Sequence, residues 1–112
     1  MIELLEGEVC LPLRDYPGYS ITNYGRVWSD RSNKFLRVYE ANHYYHRVKM
    51  GRKNIKKIHV LVGRTHLPSY KEGLLILHKD ETLAYPQIHY ADNLWVGTQS
   101  DNLRDAIKKG RK

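Results

Sequence analysis

Short runs of β-branched and aromatic residues, separated by turn sequences, are the feature that most limits how this chain can fold. Between residues 19 and 58 these runs recur every few residues, and the segments between them are rich in Gly, Asn, Asp and Ser. Such close spacing leaves no room for the crossover helices that parallel strands require, so the runs predict hairpins. The first half of the chain is therefore expected to form a small antiparallel sheet.

The second half has a different order of elements. Apolar residues in 59–66, followed by Pro68, predict a short helix. The apolar run 74–78 ends at His78 and predicts a buried strand, and residues 93–97 (NLWVG) predict a second one. The expected fold class is therefore α+β, with a strand, a loop and a strand after the N-terminal sheet.

A terminal helix is expected directly after the second strand. Thr98 has the side chain of a helix N-cap, and Asp101 lies three residues further on, as in a capping box. Gly110 is placed to end this helix. The order strand, loop, strand, helix is expected to bring His78, the loop and the first helical turn close together.

Size and composition point to one intracellular domain. A chain of 112 residues with 41% hydrophobic residues supports one modest core. The single cysteine, Cys10, excludes an internal disulfide framework and a multi-cysteine zinc site. The N-terminus shows no secretory leader and the chain no long apolar span, so a soluble, cytoplasmic protein without a membrane partner is expected.

Positive charge is concentrated in one window of the chain. Residues 31–57 contain nine basic side chains and one acidic side chain, a net charge of +8, and tyrosines are interleaved among them. One interpretation is a solvated face of the sheet. The other is a surface that follows a phosphate backbone, because neighbouring strands can hold Lys and Arg at matching intervals.

Three residues of the second half have side chains suited to phosphodiester hydrolysis. His78 ends the first strand, Asn93 begins the second, and Asn102 lies in the first turn of the helix. Histidine is suited to deprotonate water near neutral pH, and an asparagine oxygen suits a hydrated Mg²⁺ ion. The same residue types also have structural uses at strand and helix ends.

The stretch from His78 to Asn102 resembles the HNH, or ββα-metal, nucleases in the His-Asn-Asn variant typical of phage and intron homing endonucleases. The family pattern is approximately an apolar strand into His-x-Asp, then Asn-Leu-x-Trp-Val-Thr, then an acidic residue and Asn. The chain reads His78-Lys79-Asp80, then Asn93-Leu94-Trp95-Val96-Gly97-Thr98, then Asp101-Asn102.

An upstream segment is similar to NUMOD4, a module that precedes HNH in such enzymes. Residues 16–29, YPGYSITNYGRVWS, resemble its Gly-Tyr-x-Ile-Ser-Asn-x-Gly-Arg-Val core. Residues 58–62 and the Leu67-Pro68 pair resemble the run that links the two modules, in which His59 either packs or contacts a phosphate. The resemblance implies a NUMOD4-like basic β lobe at 1–57 and an HNH-like ββα-metal (His-Me finger) motif at 58–112, forming one compact unit.

The resemblance implies a DNA endonuclease that uses a divalent metal, Mg²⁺ or Mn²⁺. His78 would be the general base, Asn93 would hold the loop and thereby orient His78, and Asn102 would bind the metal. Such enzymes leave a 5′ phosphate and a 3′ hydroxyl, and a monomer with one site nicks one strand; a homodimer is the alternative state. The residues expected to contact DNA are Arg26, Arg37, Arg47, Lys49, Arg52, Lys53, Lys56 and Lys57.

One position departs from the family pattern. The residue directly before the base usually binds the metal, and here it is Leu77. Some ββα-metal nucleases have one Asn ligand, with phosphate and water completing the shell, and Asp80 or His89 is a possible substitute ligand. Leu77 and the aromatic residues of the 79–92 loop favour the alternative function, an HNH-like DNA-binding, regulatory or inhibitor protein without cleavage activity.

Overall fold

The computed structural model describes residues 3–42, 45–52 and 54–108. Lys53 and Gly110, for which the sequence predicts a DNA contact and a helix end, lie outside the described residues. The strands are β1 (Cys10–Pro12), β2 (Tyr19–Thr22), β3 (Val27–Ser29), β4 (Lys34–Phe35), β5 (Tyr39–Asn42), β6 (Tyr45–Lys49), β7 (Ile55–Lys57), β8 (Leu75–His78) and β9 (Leu94–Gly97). The helices are α1 (Ile58–His66) and α2 (Gln99–Lys108), and two single-turn 3₁₀ helices, Gln87–His89 and Ala91–Asn93, lie between β8 and β9.

The strands of the first half form two antiparallel sheets rather than the single sheet that the turn spacing predicts. β1 to β4 pair in sequence order, and β5, β6 and β7 form a separate three-stranded sheet. Strand β6 alternates strictly, with His46 and Val48 buried and Arg47 exposed, as expected when one face of a sheet packs on a core. The mixed α+β class is as predicted.

Helix α1 lies at the centre of the molecule and contacts strands of all three sheets. Its buried residues Ile58, Leu61 and Val62 join core residues on both sides of the predicted boundary at residue 57. At Gly63 the helix approaches the C-terminal hairpin so closely that an added Cβ would lie 2.5 Å from the side chain of Ile76. The two segments therefore share one core.

The C-terminal hairpin and helix match the predicted order of elements. β8 and β9 pair with His78 opposite Leu94. Helix α2 begins with a reciprocal cap: the backbone N–H of Asp101 donates to Oγ1 of Thr98 (3.1 Å), and the backbone N–H of Thr98 donates to the Asp101 carboxylate (2.9 Å). This is the capping-box arrangement with Asp in the acidic position. Neither helix of the described ranges has the length and apolar character needed to cross a membrane.

Candidate active site and nucleic-acid interface

His78 is buried at the end of strand β8. Alternation along the strand puts His78 on the same face as Ile76, which packs against helix α1. The side chain is 7% exposed, its ring centroid lies 4.7 Å from that of His59, and its Nε2 lies 3.2 Å from Nδ1 of His89. The candidate base is therefore held among histidines from a helix and a loop.

A row of hydrogen-bonded histidine side chains continues from His78 across the protein interior. Nε2 of His89 lies 2.7 Å from Nδ1 of His46, and Nε2 of His46 lies 3.6 Å from the carboxylate of Glu40. The Glu40 carboxylate favours a proton on the nearer nitrogen of His46. His46 then accepts from His89, and His89 in turn accepts from His78. This assignment puts the proton of neutral His78 on Nε2 and its basic lone pair on Nδ1.

His59 is the third histidine beside His78. It is 6% exposed, and its Nδ1 has no hydrogen-bond partner among the described residues. Burial, and next the neighbouring His78 and His89, lower the pKa of His59 to about 3. His59 is therefore neutral at physiological pH and keeps a nitrogen lone pair.

Asn93 fastens the loop that follows His78. Its Oδ1 accepts from the backbone N–H of Asp80 (2.9 Å), and its Nδ2 donates to the carbonyls of Asp80 (3.0 Å) and Ile88 (2.9 Å). Its backbone carbonyl accepts from Lys79 (2.7 Å). One buried side chain thereby connects both ends of the loop.

Leu77 and His78 face opposite sides of the hairpin. A Cβ placed at Gly97 would lie 3.2 Å from Cδ1 of Leu77 and 3.1 Å from Cβ of Asp101, so Leu77 faces helix α2. Asn102 is half-buried in the first turn of that helix. The residue beside the predicted metal ligand is thus the hydrocarbon side chain of Leu77, whereas His78 faces helix α1.

Several of the predicted DNA-contacting residues share one exposed face of the β5–β7 sheet. Arg47 is directly opposite Lys57, Lys49 occupies the next outward position on β6, and the guanidinium of Arg37 lies 5.1 Å from the ring of Tyr39. Arg52 is exposed in the turn after β6. Lys56 leaves the sheet on the other face, where its Nζ lies 6.0 Å from the ring of Tyr16.

The basic face continues to the buried histidines. Nζ of Lys57 lies 4.4 Å from the ring of Tyr45, and that ring lies 5.7 Å from the ring of His59. His59 in turn contacts His78. A polyanion lying on this face of the sheet would therefore extend toward the end of strand β8.

Arg26 has a different environment from the other predicted DNA contacts. Its Nε donates to the Glu8 carboxylate (2.9 Å), its Nη2 donates to the same carboxylate and to the carbonyl of Glu3 (2.9 Å), and its guanidinium lies 3.9 Å from the ring of Phe35. The charge of Arg26 is balanced by a buried carboxylate. Glu8 thus joins the N-terminal segment to the residue that precedes strand β3.

The Glu8–Arg26 pair predicts a loss of stability in acid. Burial opposes ionisation, but hydrogen bonds from Arg26 and the backbone of Leu5 lower the pKa of Glu8 from 4.5 to about 2. Because the folded-state pKa lies below the unfolded one, the pair stabilises the fold fully above pH 4.5, and this contribution disappears as the pH falls toward 2. We expect Glu8→Gln to remove up to about 3 kcal/mol at neutral pH and to flatten the acid limb of the profile.

Denaturant unfolding at a series of pH values measures this effect. Glu6→Gln is the matched control, because Glu6 is exposed. Equal pH profiles for the two variants would show that the Glu8 carboxylate does not contribute through its pKa.

Sequence reasoning did not predict the histidine cluster. His46, His59 and His89 belong to a strand, a helix and a loop, and their separations in the chain match no ligand or catalytic spacing. The ring of His89 contacts Tyr85, and its two nitrogens join His46 to His78. The one signal that could have placed His46 inward is the alternation of residue types along β6, where His46 and Val48 lie on the buried face.

The chain is similar to known nucleases in sequence. It is 32% identical over 103 residues to DNA endonuclease I-HmuI of Bacillus phage SP01, in an alignment covering 88% of this chain and 57% of that protein. It is 31% identical over 103 residues to H-N-H endonuclease F-TflII of Escherichia phage T5, covering 86% of this chain and 51% of that protein. The chain thus spans little more than half the length of these relatives. No protein-family model matches it.

The structural similarity covers nearly the same part of the chain. The HNH homing endonuclease I-HmuI, in a structure described as showing DNA binding and cleavage, superposes with a TM-score of 0.75 at 28% identity. The superposition covers 93% of this chain and 60% of that one. The chain is therefore similar in sequence to two phage endonucleases, and in both sequence and fold to the HNH homing endonuclease I-HmuI.

Proposed function

We propose that this chain is a divalent-metal-dependent DNA endonuclease that nicks one strand. It would act in the cytoplasm of the cell that contains its DNA substrate. The observation that supports the proposal most is the setting of His78. It ends strand β8, its Nε2 is joined to His89, and the loop beyond it is fastened by Asn93, within a fold similar to that of I-HmuI. With one such site per chain, cleavage of both strands would require a homodimer.

His78 acts as the general base in this proposal. Its Nδ1 lone pair takes a proton from a water molecule, and the resulting hydroxide attacks phosphorus in line with the departing 3′ oxygen. The positive charge that forms on His78 is shared along the hydrogen-bonded path through His89 and His46 toward Glu40. A carboxylate at the end of such a path stabilises the protonated base.

Asn93 has a positioning role. All three of its side-chain hydrogen bonds go to loop backbone, so they hold the segment between His78 and His89 in one conformation. The distance between these two histidines depends on that conformation. Loss of the Asn93 amide would therefore act on the orientation of His78.

Asn102 would hold the metal ion. Its amide oxygen is a hard donor, Leu77 beside the same helical turn offers none, and Asp101 is engaged in the helix cap and with Arg104. This donor set fits Mg²⁺ or Mn²⁺ that keeps most of its waters and gains phosphate oxygens from the substrate. When bound there, such an ion neutralises charge that develops on the phosphate and the leaving oxygen.

The outer face of the β5–β7 sheet would contact the DNA backbone. If Arg47 and Lys49 each neutralise a phosphate, replacing both with Ala lowers the slope of log K against log salt by about 2. Fluorescence anisotropy with a labelled duplex, measured across a range of salt concentrations, gives this slope. Affinity should fall for every DNA sequence alike, because phosphate contacts carry no sequence information.

The double variant Arg14→Ala, Lys71→Ala is the matched control for charge. It removes the same net charge from exposed positions outside the β5–β7 sheet. An equal change of slope in both double variants would indicate a general charge effect and would contradict binding on this face.

A plasmid assay tests the proposed activity. Purified protein should convert supercoiled DNA to the open circle with Mg²⁺ or Mn²⁺ and should stop when EDTA is added. Ligase should reseal the nick, since the expected ends are a 5′ phosphate and a 3′ hydroxyl. Absence of nicking with both metals, at protein concentrations that saturate DNA binding, would contradict the proposal.

A second candidate function is DNA binding without cleavage, in a regulator or inhibitor. Two observations favour it: Leu77 occupies the place of a metal ligand, and His78 is only 7% exposed. This function predicts salt-sensitive DNA affinity through the β5–β7 face and no nicking with any divalent metal. The plasmid and anisotropy measurements together distinguish the two functions.

A further inference from the structure

The three buried histidines also have the composition of a transition-metal site. One ring nitrogen from each of His59, His78 and His89 lies within 4.8 Å of the other two. Neutral imidazole is a preferred ligand of Zn²⁺ and Co²⁺, whereas Mg²⁺ prefers oxygen. The cluster therefore differs in its metal preference from the site proposed around Asn102.

The distances are close to those of an assembled centre. Two nitrogens bound to one tetrahedral Zn²⁺ are about 3.3 Å apart, and Nε2 of His78 and Nδ1 of His89 are 3.2 Å apart. The ring of His59 lies 4.7 Å from that of His78, and an inward movement of about 1.5 Å would bring a His59 nitrogen to bonding distance. A small rotation of one imidazole is enough for such a movement.

His59 also has a ring nitrogen, Nδ1, that is buried and makes no hydrogen bond in the described part of the chain. A buried polar atom without a hydrogen-bond partner destabilises the fold. A metal ion bound through this nitrogen would give it a partner.

The surroundings resemble the outer shell of a metal site. A metal-bound histidine usually donates a hydrogen bond from the N–H of its second ring nitrogen to a carboxylate or another acceptor. When His89 binds through Nδ1, its Nε2–H donates to His46, and His46 points its other nitrogen to Glu40. This network holds His89 in the tautomer that ligation requires.

We propose that His59, His78 and His89 form a site for one transition-metal ion of the Zn²⁺ type, and that its occupation switches the nuclease off. The ion takes the place of the proton between Nε2 of His78 and Nδ1 of His89. That proton moves through solvent to Nδ1 of His78, so the ring stays neutral with one proton and the basic lone pair on Nδ1 is lost. The inhibition rests on the base function proposed for His78, whereas the metal site does not.

Binding is tested first, without DNA. Chelator-treated protein is titrated with Co²⁺, whose visible absorption reports tetrahedral nitrogen ligation, and Zn²⁺ should abolish that absorption by displacement. We expect one ion per chain, with affinity about 100-fold weaker in His59→Gln and in His89→Gln. His66→Gln is the matched control, because His66 lies on the same helix and its Nε2 is 2.8 Å from the carbonyl of Ile21, away from the cluster.

The wild-type protein provides a measurement that requires no variant. In NMR spectra of the imidazole rings, Zn²⁺ should shift the signals of His59, His78 and His89 and leave those of His66 in place. Absence of Co²⁺ absorption in the wild type, equal affinity in His59→Gln and His66→Gln, or unchanged ring signals with Zn²⁺ would overturn the site.

The effect of Zn²⁺ on cleavage is measured in a separate experiment. Zn²⁺ at concentrations that saturate the site should stop Mg²⁺-dependent nicking, and EDTA followed by fresh Mg²⁺ should restore it. Nicking that continues with saturating Zn²⁺, or that Zn²⁺ alone supports, would overturn the switch. If the protein binds Co²⁺ as expected but never nicks DNA, the proposed nuclease function fails and the metal site stands.

Discussion

Replacing His78 with Ala is expected to lower the rate of metal-dependent nicking by about 10²–10⁴-fold, the usual contribution of a general base. The loss should appear in the cleavage step, with DNA affinity nearly unchanged, because His78 is buried whereas the Lys and Arg side chains proposed to bind phosphate are exposed. Single-turnover nicking with protein in excess over plasmid measures this step directly.

His66→Ala is the control for losing a histidine side chain from the same part of the fold. His66 is half-buried on helix α1 and has no part in the proposed chemistry. Thermal unfolding of both variants shows whether each remains folded at the assay temperature. Wild-type nicking by a folded His78→Ala protein would remove His78 from the mechanism.

Replacing Asn102 with Ala is expected to lower nicking at fixed low Mg²⁺ by about 10²–10³-fold, because the only protein donor proposed for the ion is removed. Part of this loss should be recovered at high Mg²⁺ concentration, since phosphate and water still provide ligands. The rate is measured as a function of Mg²⁺ concentration. A rate that is low but independent of Mg²⁺ would contradict a role of Asn102 in metal binding.

Leu77→Asp tests the same proposed metal site by adding a donor instead of removing one. Leu77 lies beside the first turn of α2, so a carboxylate there adds a second donor near Asn102. We expect the Mg²⁺ concentration for half-maximal nicking to fall about tenfold, which corresponds to about 1.4 kcal/mol. Ile107→Asp, at an exposed position of the same helix, controls for the added negative charge. An equal effect of both changes would show that general charge and not ligation is responsible.

Local sequence patterns predicted the C-terminal half closely. The strand that ends at His78, the second strand, and the capped start of α2 all agree with the structure. These features depend on residues within a few positions of one another, such as Thr98 with Asp101. The extent of α1 was also predicted well, because its apolar run and Pro68 limit it on both sides.

Long-range pairing was predicted less well. The division of the N-terminal strands into two sheets depends on how each packs around α1, and no turn residue records that choice. Arg26 illustrates the same limit for charge: it is among the residues expected to contact DNA, and folding places it against Glu8, 18 positions earlier in the chain. Charge counts cannot distinguish a solvent-exposed cation from one that is already paired.

The sequence by itself determined the order of elements, the position of His78 at a strand end, and the absence of a donor at Leu77, because each follows from neighbouring residues. Tertiary structure alone decided that His46, His59 and His89 surround His78, and that Leu77 faces helix α2 whereas His78 faces helix α1. The physical reason is that strand alternation sets the direction of each side chain, whereas its neighbours are set by which elements pack on that face. The surroundings of the candidate base are therefore a property of the whole core.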